Sequence, residues 1–224
     1  MKVTIIEYPG SFAIKELLDL LGKSLGLEAA AIWHNEQELP QTDLVILPSG
    51  SSFGDYLRPG AFARTSPMTR LVRNHAQSGG KVIGIGNGFQ ILTELGLLPG
   101  MFHESLGDTR INQTAHLVPA TKGRFFSTPF QENQVLRLPV NAKYGRYVLD
   151  TRELNSLRDR DCIAFYYCDA EGNRSSAEDI FGCTNSIAAV YNQSHSILGI
   201  MAHPERALDP LMGSVDGRLF FTSI

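Results

Sequence analysis

The sequence predicts an α/β fold: a doubly wound, mostly parallel sheet flanked by helices, with further β-rich segments in the second half. Three observations lead there. Short apolar, β-branched runs recur through the first hundred residues, at 3–6, 29–33, 44–47 and 81–85. Segments with helical spacing lie between several of them. Runs such as Leu44-Val45-Ile46-Leu47 are apolar without alternation, which suits strands covered on both faces.

Taken in order, residues 3–6 read as the first strand, followed by a helix over 13–25 with Ile14, Leu17, Leu18 and Leu21 on one face. Strands at 29–33 and 44–47 follow, then a helix over 68–76 and a strand at 81–85. A third helix starts near Asn87 and ends at Gly96, a suitable C-cap. Beyond Gly100 the pattern turns to β-rich pieces at 115–118, 135–140, 162–167, 187–191 and 197–201, read as strands added to the same sheet or as a hairpin flap beside it. Residues 146–160 read as a loop plus a short helix, and 216–223 as a closing helix. With no repeat, low-complexity tract or linker, the expectation is one domain over 1–224.

Composition narrows the function classes. Hydrophobic residues make up 43% and charged residues 19% of the 224, which excludes a disordered, collagen-like or coiled-coil chain. A formal charge of −3 with no long basic run gives no support to a nucleic-acid or membrane-surface partner. The start of the chain has neither the apolar stretch nor the cleavage site of a secretory signal, and no apolar run approaches bilayer length. Cys162, Cys168 and Cys183 are an odd number without paired spacing, so neither a disulfide framework nor a structural metal is expected, and the expected compartment is the cytoplasm.

Ligands of an open parallel sheet bind outside the carboxyl ends of its strands, so chemistry is expected in the loops after strands. Three stand out: residues 48–60 after the third strand, Gly84-Ile85-Gly86-Asn87-Gly88-Phe89-Gln90 at the fourth, and Ala202-His203-Pro204-Glu205-Arg206 after the last. The second has the glycine spacing of a nucleophile elbow, in which a strand turns sharply into a helix and exposes one side chain. Its central position is Gly86, which has no side chain; a plain glycine-rich turn fits the segment equally well. A dinucleotide fingerprint would need a glycine where Phe89 stands. Glu205, two residues after His203, can orient the imidazole as in a nucleophile-base-acid triad, although a surface turn explains the tripeptide too. Backbone amides of the first loop, together with that of Asn87, can form an oxyanion hole.

The three loops, in this order, carry a family resemblance. With Tyr8-Pro9-Gly10-Ser11, Phe53-Gly54-Asp55-Tyr56-Leu57-Arg58, the run from Asn87 to Gly100 and His203-Pro204-Glu205-Arg206-Ala207, the chain resembles the class I, triad-type glutamine amidotransferases, which have a flavodoxin-like sheet. Within them it is most similar to the small glutaminase subunits of phosphoribosylformylglycinamidine synthase. The resemblance implies hydrolysis of glutamine through a glutamyl-thioester and transfer of ammonia to a large synthetase subunit in purine biosynthesis. It implies no cofactor in this chain, with ATP and Mg²⁺ on the partner. By the same resemblance His203 is the base, Glu205 the orienting acid, Gly50 and Asn87 the oxyanion donors, and Gln90 part of the glutamine site.

The nucleophile does not carry over. The family's Gly-Val-Cys-Asn-Gly is here Gly84-Ile85-Gly86-Asn87-Gly88, so Gly86 occupies the slot of the missing cysteine. Where the family usually shows a His-Gly-Glu-Gly segment, this chain has Val140-Asn141-Ala142-Lys143-Tyr144-Gly145-Arg146-Tyr147. Phe12-Ala13-Ile14 stands for Asn-Cys-Asp, and Pro48-Ser49-Gly50 for Pro-Gly-Gly. The expectation is an amidotransferase-like subunit impaired as a glutaminase. Two alternatives remain: a working glutaminase using another residue, and a binding module that has repurposed the glutamine pocket for an anion drawn by Lys143, Arg146 and Arg58.

Overall fold

The computed structural model describes residues 1–105, 110–120, 130–131, 134–175 and 179–224. β1 (Lys2–Glu7), β2 (Glu28–Trp33), β3 (Leu44–Leu47) and β4 (Lys81–Ile85) form where the apolar β-branched runs lie. Among the described residues the main sheet has nine strands, adding β6 (Ile111–Pro119), β7 (Leu136–Ala142), β9 (Ile163–Cys168), β10 (Ile187–Tyr191) and β11 (Ile197–Ile200), in the order β2-β1-β3-β4-β11-β10-β9-β6-β7. The first five, closed by β11, are parallel neighbours. The remaining pairings are antiparallel, through β10, β9, β6 and β7. The sheet is therefore mixed. Every residue of β3, β10 and β11 is buried, so both faces of the centre are covered and the uninterrupted apolar runs are accounted for.

Helices flank this sheet. The segment predicted as one helix over 13–25 divides into α1 (Ile14–Leu18) and a wider π-helical stretch, Asp19–Ser24, in which Leu25 N–H reaches the Leu20 carbonyl. Widening there keeps Leu17, Leu20 and Leu21 buried together. α2 is Pro67–Gln77, with proline in its first turn, and α3 is Asn87–Glu94. α4 (Thr151–Asp159) begins in a capping box: Asp150 accepts from Glu153 N–H while the Glu153 side chain accepts from Asp150 N–H. α5 is Asp216–Thr222. Of the two readings of the second half, added strands hold: the pieces at 115–201 extend the main sheet, while β5 (Met101–His103) and β8 (Arg146–Val148), the latter in a stretch read as loop, pair as a separate two-stranded ribbon.

Glycines set how closely α3 approaches the sheet. A Cβ on Gly88 would run into the carbonyl oxygen and side chain of Leu47, at the end of β3. A Cβ on Gly84 would meet the Gly88 carbonyl 2.5 Å away. The start of α3 is thus pressed against the carboxyl ends of β3 and β4, which puts the strand-to-helix turn beside the loop that leaves β3. Gly88→Ala must open this contact, and overpacking of that kind costs about 1–3 kcal/mol. The variant should unfold at lower urea concentration than the parent; an unchanged midpoint would contradict this packing.

Candidate functional site

The turn from β4 into α3 has the geometry of an elbow. Gly86 has φ 54° and ψ −109°, a conformation that side chains strain to adopt. Its N–H donates to the Ile200 carbonyl of β11, and its carbonyl accepts from Phe89 and Gln90 N–H in the first turn of α3. A Cβ built on Gly86 would stand 2.7 Å from His203 Cε1 and 3.4 Å from Ser49 Cβ. The imidazole and the Ser49 side chain therefore flank the place where an elbow side chain would begin.

His203 leaves the end of β11 with its N–H bonded to the Pro139 carbonyl of β7, 2.8 Å away. Its Nδ1 is 3.1 Å from Glu205 Oε1. With the carboxylate as acceptor, the proton sits on Nδ1 and the other ring nitrogen is left as the base. That Nε2 is buried and has no hydrogen-bond partner among the described residues. Glu205 has no exposed surface, and its Oε1 also accepts the Ser49 hydroxyl at 2.6 Å. A buried carboxylate needs such donors to offset its lost hydration, so Ser49 helps hold the acid that orients the histidine.

Gly50 and Asn87, the positions expected as oxyanion donors, lie in the loop after β3 and at the start of α3. The loop after β1 and the loop after β3 meet at a bridge between Ser11 and Gly50, made by Phe12 N–H to the Ser49 carbonyl and Ser51 N–H to the Gly10 carbonyl. Gly50 N–H and Asn87 N–H make no hydrogen bond among the described residues. The Asn87 side chain ties the loops: its Oδ1 accepts from Ser52 N–H at 3.0 Å and its Nδ2 donates to Gln90 Oε1 at 2.9 Å. Gln90 Nε2 continues the chain to the Tyr144 carbonyl at 2.7 Å. Both ends of the Gln90 amide are therefore engaged within the protein, linking α3 to the segment after β7.

A cavity of ≈480 Å³ opens beside His203, Ser49 and Gly50. Its other walls include Phe12, Arg110, Asn141 and Arg206, which no spacing in the sequence brings together because they come from four separate segments. A larger cavity, ≈870 Å³, lies between the turn after α3, α4 and the β10–β11 connection, with none of the elbow residues in its lining. Two of the cations expected to draw an anion are occupied elsewhere: Arg58 pairs with Glu94 and Lys143 with Glu104. Neither they nor Arg146 lines the cavity at His203. Cys162, Cys168 and Cys183 are buried and form no disulfide among the described residues, and burial pushes the Cys162 and Cys183 thiols up, away from the nucleophilic thiolate.

Two substitutions test this geometry. Gly86→Ala should cost at least about 1 kcal/mol for the strained backbone and displace the imidazole, read as a lower melting temperature and a shifted His203 ring resonance. An unperturbed ring would mean that the slot is open. Asp55, in the loop after β3, has its carboxyl pushed up by burial, and its Oδ1 has no partner among the described residues. Its folded pKa lies above the unfolded one, so the folded state binds the proton more tightly and stability falls as pH rises through that window. Asp55→Asn should therefore stabilise the protein at pH 7, with the gain shrinking below about pH 4. A gain that grew on acidification would refute the sign.

Comparison with known proteins identifies the family. Residues 2–218 match the family model described as the CobB/CobQ-like glutamine amidotransferase domain. The PurQ subunit of phosphoribosylformylglycinamidine synthase from Chlorobaculum tepidum is 38% identical over 222 residues, covering 99% of this chain and 95% of that protein. Its counterpart from Bradyrhizobium diazoefficiens is 38% identical over 225 residues, covering 100% and 97%. Among solved structures, a chain of PurLQS from Thermotoga maritima superposes with a TM-score of 0.86 at 32% identity, covering 100% of this chain and 96% of that one. A glutamine amidotransferase from the same organism shares the fold at a TM-score of 0.59 and 13% identity, over 92% and 77% of the two chains. The chain belongs to the CobB/CobQ-like glutamine amidotransferase family and, within it, to the family of PurQ subunits of phosphoribosylformylglycinamidine synthase.

Proposed function

We propose that the chain is the amidotransferase-type subunit of a phosphoribosylformylglycinamidine synthase assembly in purine biosynthesis, seated on a synthetase subunit, and that its own glutaminase activity is lost. The relatives named PurQ and the superposition on a chain of PurLQS support the place in the assembly. The observation that carries the loss is Gly86: an elbow with a base and an orienting acid, but no atom with which to attack.

In this reading His203 is the base and Glu205 the acid that fixes its tautomer. Gly50 and Asn87 are the oxyanion donors, and Gln90 braces the glutamine site from behind. A thioester requires a thiolate bonded to the carboxamide carbon, and hydrogen at position 86 forms no such bond. Ser49 does not replace it: its proton is committed to Glu205, and its hydroxyl comes from another loop, whereas attack tolerates only about an ångström of misplacement. Groups of a triad act as a unit, so the remaining members supply little of the rate. The synthetase then draws on free ammonia, with ATP and Mg²⁺ handled on its own chain.

Mixed with its synthetase subunit and glutamine, the chain should release no glutamate above background, while ammonium salts still support amidine formation. Gly86→Cys alone should recover little, because its Cβ meets the imidazole and Ser49 stays in place. Glutamate release by the unaltered chain at a rate comparable to ammonia-driven synthesis would overturn the proposal.

A further inference from the structure

The cavity beside His203 has a lining that thioester chemistry does not require. Two guanidiniums contribute to it from different elements: Arg110, just before β6, and Arg206, in the turn that carries Glu205. No carboxylate belongs to its lining among the described residues. Arg110 Nη1 donates to Asn141 Oδ1 at 2.9 Å, a neutral partner. The Asp55 carboxyl senses Arg110 electrostatically without a hydrogen bond to it among the described residues. Arg206 stands 3.6 Å from Glu16, but both side chains are well exposed, 37% and 45%, and such pairs are worth about 0–1 kcal/mol. A ligand can therefore take over either guanidinium at small cost.

The remaining walls complete an amphipathic site. Phe12 and Met212 border the cavity and are about half exposed, at 54% and 47%, an apolar surface for a carbon skeleton. Asn112 and Asn141 sit opposite each other in the β6–β7 register and add amides to the lining. His203, 7% exposed, lines the cavity with an unpartnered Nε2. The volume, ≈480 Å³, falls within the range of small-molecule sites.

We propose that this cavity binds a small organic dianion, a dicarboxylate of roughly five carbons, bracketed by Arg110 and Arg206 with its methylene chain against Phe12 and Met212. Planar guanidiniums hold carboxylates in two-pronged contacts, and two of them on separate elements match two carboxylates better than one. A zwitterionic amino acid such as glutamine brings an ammonium toward these cations and is disfavoured for that reason. With no side chain at Gly86, a bound carboxylate is held and not consumed. The proposal rests on the lining of the cavity and is independent of the lost glutaminase activity.

Titration calorimetry on the full chain at low ionic strength, with glutarate, glutamine and inorganic phosphate as probes, tests it. The expected result is one saturable glutarate site, at least about tenfold tighter than glutamine or phosphate, and weakened about tenfold or more by Arg110→Gln and by Arg206→Gln, with melting temperatures near the parent's. Absence of glutarate binding, equal affinity for glutamine, equal affinity for phosphate, or indifference to both substitutions in folded variants would each overturn it. Glutamate release is a separate readout, so failure of the subunit assignment and failure of the dianion site are told apart.

Discussion

Everything at this site turns on a backbone conformation at one position. Gly86 links β4 to α3 with φ 54° and ψ −109°, held by its own hydrogen bonds to β11 and to the first turn of the helix. Glycine reaches this region with ease, while any other residue pays in strain. The sharp turn survives here without a side chain to present. His203, Glu205 and Ser49 are gathered around it all the same, joined through the shared Glu205 Oε1. The architecture of an elbow and the chemistry of an elbow are thus separable: the first depends on hydrogen bonds and glycine packing, the second on a side chain that Gly86 does not have.

The loops around Gly86 form one connected unit. Ser52 N–H, Asn87, Gln90 and the Tyr144 carbonyl form a chain from the loop after β3, across α3, to the segment after β7. His203 N–H joins the same region at Pro139. Buried polar groups satisfied in this way define one arrangement of the loops and resist others. Phe12 N–H is bonded to the Ser49 carbonyl and the Ser49 hydroxyl to Glu205, so the loop after β1 is tied to the same site.

Much of the architecture was legible from patterning because burial on both faces writes itself into sequence. β3, β4 and β10 run over the residues marked by their apolar stretches. β6 starts earlier than its apolar core because Asn112, Gln113 and Thr114 are exposed and leave no hydrophobic trace, although they pair with β7. β5 is three residues with Met101 and His103 exposed, too short for any period to register. The short helix read within 146–160 is α4, and the capping residues Asp150 and Glu153 fix where it starts. At the site, the elbow and the His203–Glu205 pair could be read from spacing. Ser49 as a partner of Glu205, and Arg110 and Arg206 sharing a cavity, arise from contacts between distant segments and have no linear signature.

Intact-mass spectrometry of the chain quenched during incubation with glutamine and its synthetase subunit addresses the vacant slot most directly. The account predicts an unmodified polypeptide mass at every time point. A glutamyl adduct, mapped by fragmentation to any residue of this chain, would contradict it.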